Sequence, residues 1–284
     1  EQAVPVVGVV SSNDSSGYSD SSTFTATVSS SSTTPTGAVQ FYDGETLLGT
    51  GTLDINGQAT LSTSFLDTGI HTITAAYQGD ANFQAQYSTT SQSVAIASTS
   101  LILNASTGNT TYNDPVTYSV SVSSLAGTPI GDVYFYDGAT LIGQGALDSS
   151  GEASLTLQSI GAGFHGISAS FAGSQNFSSS SDEVFLNVAA DTSTTSVVSS
   201  GNTPYGLSVT FTASVIAANN GPATGTVSFF AGATLIGTDT LDNDGQASIS
   251  TALDLGNYSI TAVYSGDSNV AGSNSDGNLL YNVS

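Results

Sequence analysis

Two histidines, His71 and His165, are the only imidazoles in the chain, and they stand 94 residues apart. Nucleophilic or acid–base chemistry on a histidine needs a Ser or Cys beside it and a carboxylate to orient the ring. The chain has no Cys, and the spacing suggests no Ser-His-Asp set. The two histidines occupy the same place in successive repeats, about one domain length apart, so they cannot share one metal ion, and each reads as a structural residue at the entrance of a strand. Asp242-Asn243-Asp244-Gly245 resembles the opening of a calcium loop. A helical-hand loop needs a Glu at its twelfth position, where Leu253 stands, so turn chemistry accounts better for this stretch.

Carboxylates near domain ends are a second metal candidate. Asp80 and Asp267 in Gly-Asp loops, with Asp182 and Asp191, form the weak interdomain calcium set; the competing reading is a solvated acidic loop. Six Asn-x-Ser/Thr triplets occur, and the loop sites Asn13, Asn109 and Asn176 are the best glycan acceptors among them. Tyr42, Tyr136 and Phe230 recur at one outward strand position. Such aromatics seal a contact with a like subunit, pair across strands, or stack on sugars.

These residues sit on a repeated frame. Gly37-Ala38-Val39-Gln40-Phe41-Tyr42-Asp43-Gly44 returns at Gly131 and again at Gly225, a step of 94 residues each time. A fixed period of about one domain length means tandem copies of one module. Within the first copy, Phe24–Val28, Val39/Phe41 and Ile73/Ala75/Tyr77 alternate with period two, and no stretch has a 3.6 period. Leu53 to Ser62 reads as a hairpin around Asn56-Gly57, and Ser11 to Gly17 as a polar turn. Seven or eight short strands per ~100 residues argue for a two-sheet antiparallel sandwich of immunoglobulin type. The fold expected is therefore all-β: three tandem immunoglobulin-like sandwiches, at 1–97, 98–190 and 191–284, joined by short linkers into an extended rod of roughly 110 to 120 Å.

Composition narrows the function. The chain of 284 residues has 22 Asp and Glu, no Lys and no Arg, for a formal net charge of −22. Nothing can neutralise phosphates, so nucleic-acid binding and adhesion to anionic membranes are disfavoured. No apolar run reaches membrane-span length. Without Cys no disulfide can staple the sandwich, and without Lys or Arg a trypsin-like protease has no cleavage site. The missing initiator Met suggests a processed chain. Acid would neutralise the carboxylates and leave little charge of either sign, which suggests tolerance of low pH.

Val209–Val215, Gly225-Thr226-Val227-Ser228-Phe229, Leu235-Ile236-Gly237, Gly245-Gln246-Ala247 and Ile260–Asp267 make the third copy similar to the tandem bacterial Ig-like repeat domain of secreted and surface proteins. Tyr77-Gln78-Gly79-Asp80-Ala81-Asn82-Phe83 carries the same likeness in the first copy. The resemblance implies a spacer, stalk or fibre module with no catalytic site, extracellular or at the cell surface. It implies no cofactor beyond the calcium candidate, and like subunits, cell-surface polymers or glycans as partners. The alternatives are an adhesin segment that binds glycans or a host surface, and the spacer region of a larger secreted enzyme.

Overall fold

The computed structural model of the chain describes residues 1–158, 160–275 and 279–284, and among them every regular element is a strand. In the first domain β1 (Val6–Ser11), β3 (Ser22–Ser29) and β6 (Gln58–Thr63) form one sheet in the order β1-β3-β6. The facing sheet is built from β2 (Ser15–Gly17), β4 (Ala38–Asp43), β5 (Thr46–Thr52), β7 (Gly69–Tyr77) and β8 (Gln86–Ala95), in the order β2-β8-β7-β4-β5. The second domain repeats this plan. Its β9 (Ser100–Ala105), β11 (Val116–Ser123) and β14 (Glu152–Leu157) face β10 (Asn109–Thr111), β12 (Asp132–Asp137), β13 (Thr140–Ala146), β15 (Gly163–Phe171) and β16 (Ser180–Ala189). In the third, β17 (Ser193–Ser199), β18 (Val209–Ala217) and β21 (Gln246–Thr251) face β19 (Thr226–Ala231), β20 (Thr234–Thr240) and β22 (Gly256–Tyr264), with β23 (Ser273–Asn274) and β24 (Leu279–Val283) paired to β22. This is the expected all-β architecture of three sandwiches in tandem.

The period-two pattern explains each core. On β3 the inward positions Ser22, Phe24, Ala26 and Val28 are all buried, and on β4 Val39 and Phe41 are completely so. Ile73, Ala75 and Tyr77 of β7 close the same space from beside β4. Burying each large side chain contributes about 1.5–3 kcal/mol, which is how a sandwich of this size holds without a disulfide. Two glycines are needed for close approach. A Cβ on Gly49 would lie 2.7 Å from Leu61 of the opposite sheet, and the same relation recurs between Gly143 and Leu155. Gly57, at φ 72°, lets the turn close under Val28, whose carbonyl would lie 2.4 Å from a Cβ there.

Two expectations are corrected. The Asn-Gly turn does not make a hairpin. Its first arm, β5, pairs with β4, and its second, β6, pairs with β3 in the other sheet, so the turn is an arch between sheets. The inward side chains of β6, Ala59 and Leu61, belong to the opposite wall of the core, and that requirement overrides the local turn signal. The polar segment Ser11–Gly17 contains a short strand, β2, which runs parallel to β8. Its residues Ser15-Ser16-Gly17 carry no apolar alternation to reveal it.

Tyr118 is a local imperfection. It fills the place held by Phe24 and Phe211 in the other domains and is fully buried. Its hydroxyl has no partner among the described residues, and burial, with the charge of Asp137, pushes its pKa up to about 12. An unpaired buried hydroxyl costs about 1–3 kcal/mol. Tyr118→Phe is therefore expected to leave stability unchanged or raise it by about 1 kcal/mol in urea unfolding, and a clear loss would show that the hydroxyl is satisfied.

Candidate functional site

Chemistry-bearing side chains of this chain converge at the two domain junctions. Each domain begins with a residue that clips into its own Gly-Asp-type loop. Ala97 N–H donates to Asn176 O at 3.0 Å, and Ser178 N–H donates back to Ala97 O at 2.9 Å. Asp191 makes the same clip with Asn269 (2.8 Å) and Ala271 (2.7 Å), and Ala3 with Asn82 and Gln84. The short linkers are therefore paired into the domain that follows, and each presents an Asn loop towards the domain before.

The Asn side chain makes the contact between domains. Asn176 Oδ1 accepts the Thr68 N–H at 3.0 Å and its Nδ2 donates to Asp67 Oδ1 at 2.9 Å, while Thr68 Oγ1 donates to Gln175 O at 2.6 Å. At the next junction Asn269 Oδ1 accepts the Ala162 N–H at 2.8 Å. Beside each Asn stands a tyrosine of the preceding domain. Tyr18 meets Phe177 edge-on with centroids 5.5 Å apart. Tyr112, buried, packs against Gly221 of the third domain, and the apolar cores of the second and third domains form one cluster. Around it Asn113 Nδ2 donates to Asn219 O (2.7 Å) and Asn219 Nδ2 to Tyr112 O (3.3 Å).

The histidines hold the receiving loop. His71 Nδ1 contacts Asp43 Oδ2 at 2.7 Å and its Nε2 contacts Asp67 O at 2.7 Å; His165 does the same with Asp137 and Gly161 O. Both nitrogens of each ring are thus within hydrogen-bond distance of an oxygen. In the third domain the pair is replaced as a unit. Tyr258 stands for His and donates to Asp254 O at 3.0 Å, and Ala231 stands for the Asp. The histidines are thus structural braces of the loop that receives the next domain's Asn.

The remaining expected site residues are not brought together. Asp80 accepts from Thr36 N–H and Oγ1 (2.9 Å each), Asn82 N–H (2.7 Å) and Phe83 N–H (2.9 Å), and these bonds, Thr36 first, lower its pKa to about 2. Asp267 holds Thr224, Asn269 and Val270 in the same way; burial opposes its ionisation, yet the hydrogen bonds lower its pKa overall. Asp182 accepts the Leu103 N–H, and Asp191, buried, accepts the Asn219 N–H. These carboxylates organise loops, and among the described residues no group of three or more His, Asp or Glu is placed to hold a metal ion. Asp242 Oδ1 accepts from Asp244 and Gln246 N–H, so the supposed calcium-loop opening is a turn. Tyr42, Tyr136 and Phe230 lie half-buried on the outer face of the five-stranded sheets, one per domain. Tyr42 forms, with Glu45, Thr74, Ala76 and Tyr87, a shallow hollow of about 420 Å³. Asn13 and Asn109 are exposed, whereas the amide nitrogen of Asn176, the atom a glycan would occupy, is engaged by Asp67. Sequence reasoning missed the junction role of Asn176. The available signal was its recurrence as Asn82 and Asn269 at matching repeat positions.

Together, the paired sheets, the clipped linkers and the recurring junctions define a tandem array of immunoglobulin-like domains. The bacterial Ig-like domain (group 3) family matches residues 9–97, 103–189 and 194–280, and the chain belongs to that family. Among solved structures, a tetra-tandem repeat from the extending region of a large adhesion protein shares 16% identity with a TM-score of 0.52, covering 99% of this chain and 75% of that one. The Escherichia coli adhesin FdeC aligns over 100% of this chain and 99% of its own, at 14% identity and a TM-score of 0.33. No curated protein matches the chain.

Two outcomes follow from this geometry. The Thr68 and Ala162 amides are expected to be protected from hydrogen exchange. Asn176→Ala should lower Thr68 protection about tenfold, the scale of one lost hydrogen bond, and leave Ala162 unchanged; equal loss at both would contradict separate junctions. For Asp80, whose folded pKa lies below its unfolded value, the stabilising effect is complete above about pH 4 and is lost as the pH falls through about 2. Acid thus has two opposed effects, relief of self-repulsion and loss of these loop contacts. The stability difference between the native chain and Asp80→Asn should be full at pH 6 and largely lost by pH 2, read from unfolding of the first domain. A difference independent of pH would show that Asp80 does not act through its charge.

Proposed function

We propose that this chain is a non-enzymatic extracellular spacer, a segment of a surface fibre, surface layer or stalk. The observation that carries this reading is the junction. Each linker is hydrogen-bonded into the domain it precedes, and each boundary repeats the same Asn-to-backbone contact. That arrangement sets the direction of one domain from the last and serves a protein whose task is reach. The absence of Lys and Arg supports the same reading, because such a surface offers no site to trypsin-like proteases. Family membership and the fold shared with the extending region of an adhesion protein agree with it.

The hollow at Tyr42 and Tyr87 favours a second reading, an adhesin segment that stacks sugars on these rings. Tyr87 is 70% exposed, and the ring of Tyr42 is anchored by its bond to Gln40 Oε1 at 2.9 Å. Immunogold labelling of intact source cells with antibody to the chain tests the spacer reading. Label at or beyond the outer surface is expected, and label confined to the interior would overturn it. Retention on a glycan array that Tyr87→Ala abolishes would move the assignment to the second reading.

A further inference from the structure

The second domain carries an aromatic pair that neither neighbour has. Phe164 of β15 and Phe185 of β16 are 72% and 56% exposed on the outer face of the five-stranded sheet. Their rings stack, with centroids 5.4 Å apart and planes 17° apart. The cross-strand register puts Ile70 and Ser91 at these positions in the first domain, and Asn257 and Leu280 in the third. The same sandwich therefore folds without the pair, and two rings standing in water add nothing to the core beneath them.

One face of Phe185 is open, and a carboxylate stands beside it. Phe164 lies opposite Asn187, Gly166 opposite Phe185 and Ser168 opposite Glu183. Phe164 thus stacks on Phe185 from one side along β16, and Glu183 stands on the other. A Cβ on Gly166 would lie 2.7 Å from Glu183 Oε1 and 3.6 Å from Phe185 Cε1. The carboxylate therefore reaches over the glycine towards the ring, and the missing side chain leaves a notch between them. The backbone does not require glycine there, since Gly166 has no positive φ. The other domains fill the position with Thr72 and Ser259. Among the described residues no donor reaches the Glu183 carboxylate, and the chain has no Lys or Arg to pair with it.

We infer that this notch binds the guanidinium group of an arginine presented by a partner protein. The planar cation lies on the open face of Phe185, and its N–H groups donate to the Glu183 carboxylate over Gly166. A ring face attracts a cation through its quadrupole, and arginine's rigid fork matches a carboxylate with two parallel bonds. Charge complementarity selects the occupant. The chain has a net charge of −22 and no guanidinium of its own, so a second copy cannot supply one. The field of the whole chain draws a basic segment near, and the notch decides where it docks. The inference goes beyond the spacer reading and does not rest on it.

The probe is a blocked Arg-Gly-Arg peptide, titrated into the full chain at about 0.15 M salt, where diffuse attraction is screened, and followed by amide NMR shifts. Shifts are expected to centre on Gly166, Glu183 and Phe185. Phe185→Ser and Gly166→Thr install the residues that the first domain holds at these positions and leave the net charge unchanged. Each should weaken binding about tenfold, and a Lys-Gly-Lys peptide should bind the native chain less tightly than the arginine peptide. Shifts scattered over other acidic loops, unchanged affinity in either variant, or equal binding of the lysine peptide would reduce the effect to net charge and overturn the inference. A neutral N-acetylglucosamine oligosaccharide that shifts these amides when the arginine peptide does not would overturn it in favour of a sugar site.

Discussion

The orientation of successive sandwiches depends on neutral amides at each boundary. Asn176 and Asn269 reach out of loops that their own linkers clip in place and bond the backbone of the preceding domain. A chain with no Lys and no Arg cannot set interdomain angles with ordinary ion pairs, so the task falls to amides, backbone groups and tyrosine rings. Each such hydrogen bond contributes only about 0.5–1.5 kcal/mol. The bonds act together because the short linker already holds the partners close, which removes most of the entropic cost of meeting.

The supports of this contact reach back into each sandwich. A histidine bonded to a β4 or β12 carboxylate fixes the receiving loop in the first two domains, and a tyrosine does so in the third. The change at His is matched by the change at its Asp, to Ala231. The ionisable partner disappears where the ionisable ring does, as expected if the pair acts as one brace rather than as two separate surface groups. On the entering side, Asp80 and Asp267 play the reciprocal part by gathering the backbone N–H groups of the Asn loop. Asp191 and Asp267, which sequence reading grouped as metal candidates, are in this sense parts of the second junction, whereas Asp182 bonds the Leu103 N–H within its own domain.

Much of the fold was legible in the sequence because it is written three times. The Val39/Phe41 octet, its period-two neighbours and the 94-residue step gave the number of sandwiches and the residues of their cores. The Asn56-Gly57 turn misled because local turn chemistry does not report which sheet the outgoing strand joins; Ala59 and Leu61 decide that by facing the opposite wall. Ser15–Gly17 was silent because backbone bonds to β8 and a buried hydrogen bond from Gln92 Nε2 to Ser16 Oγ hold it, with no apolar alternation. The junction was hidden for a different reason. Asn176 looks like any Asn-x-Ser triplet until the copies are superposed, when it becomes one of three equivalent residues, Asn82, Asn176 and Asn269, the last two at domain boundaries.

The central claim is that these contacts hold the sandwiches in one orientation. Because the chain lacks Cys, spin labels can be placed at will, for example at Ile55 in the first domain and Asn243 in the third, both in exposed turns. Pulsed electron-spin measurement of the distance between them should give one narrow distribution that broadens when Asn176 and Asn269 are both changed to Ala. A distribution already broad in the native chain, or unaltered by the double change, would contradict the account.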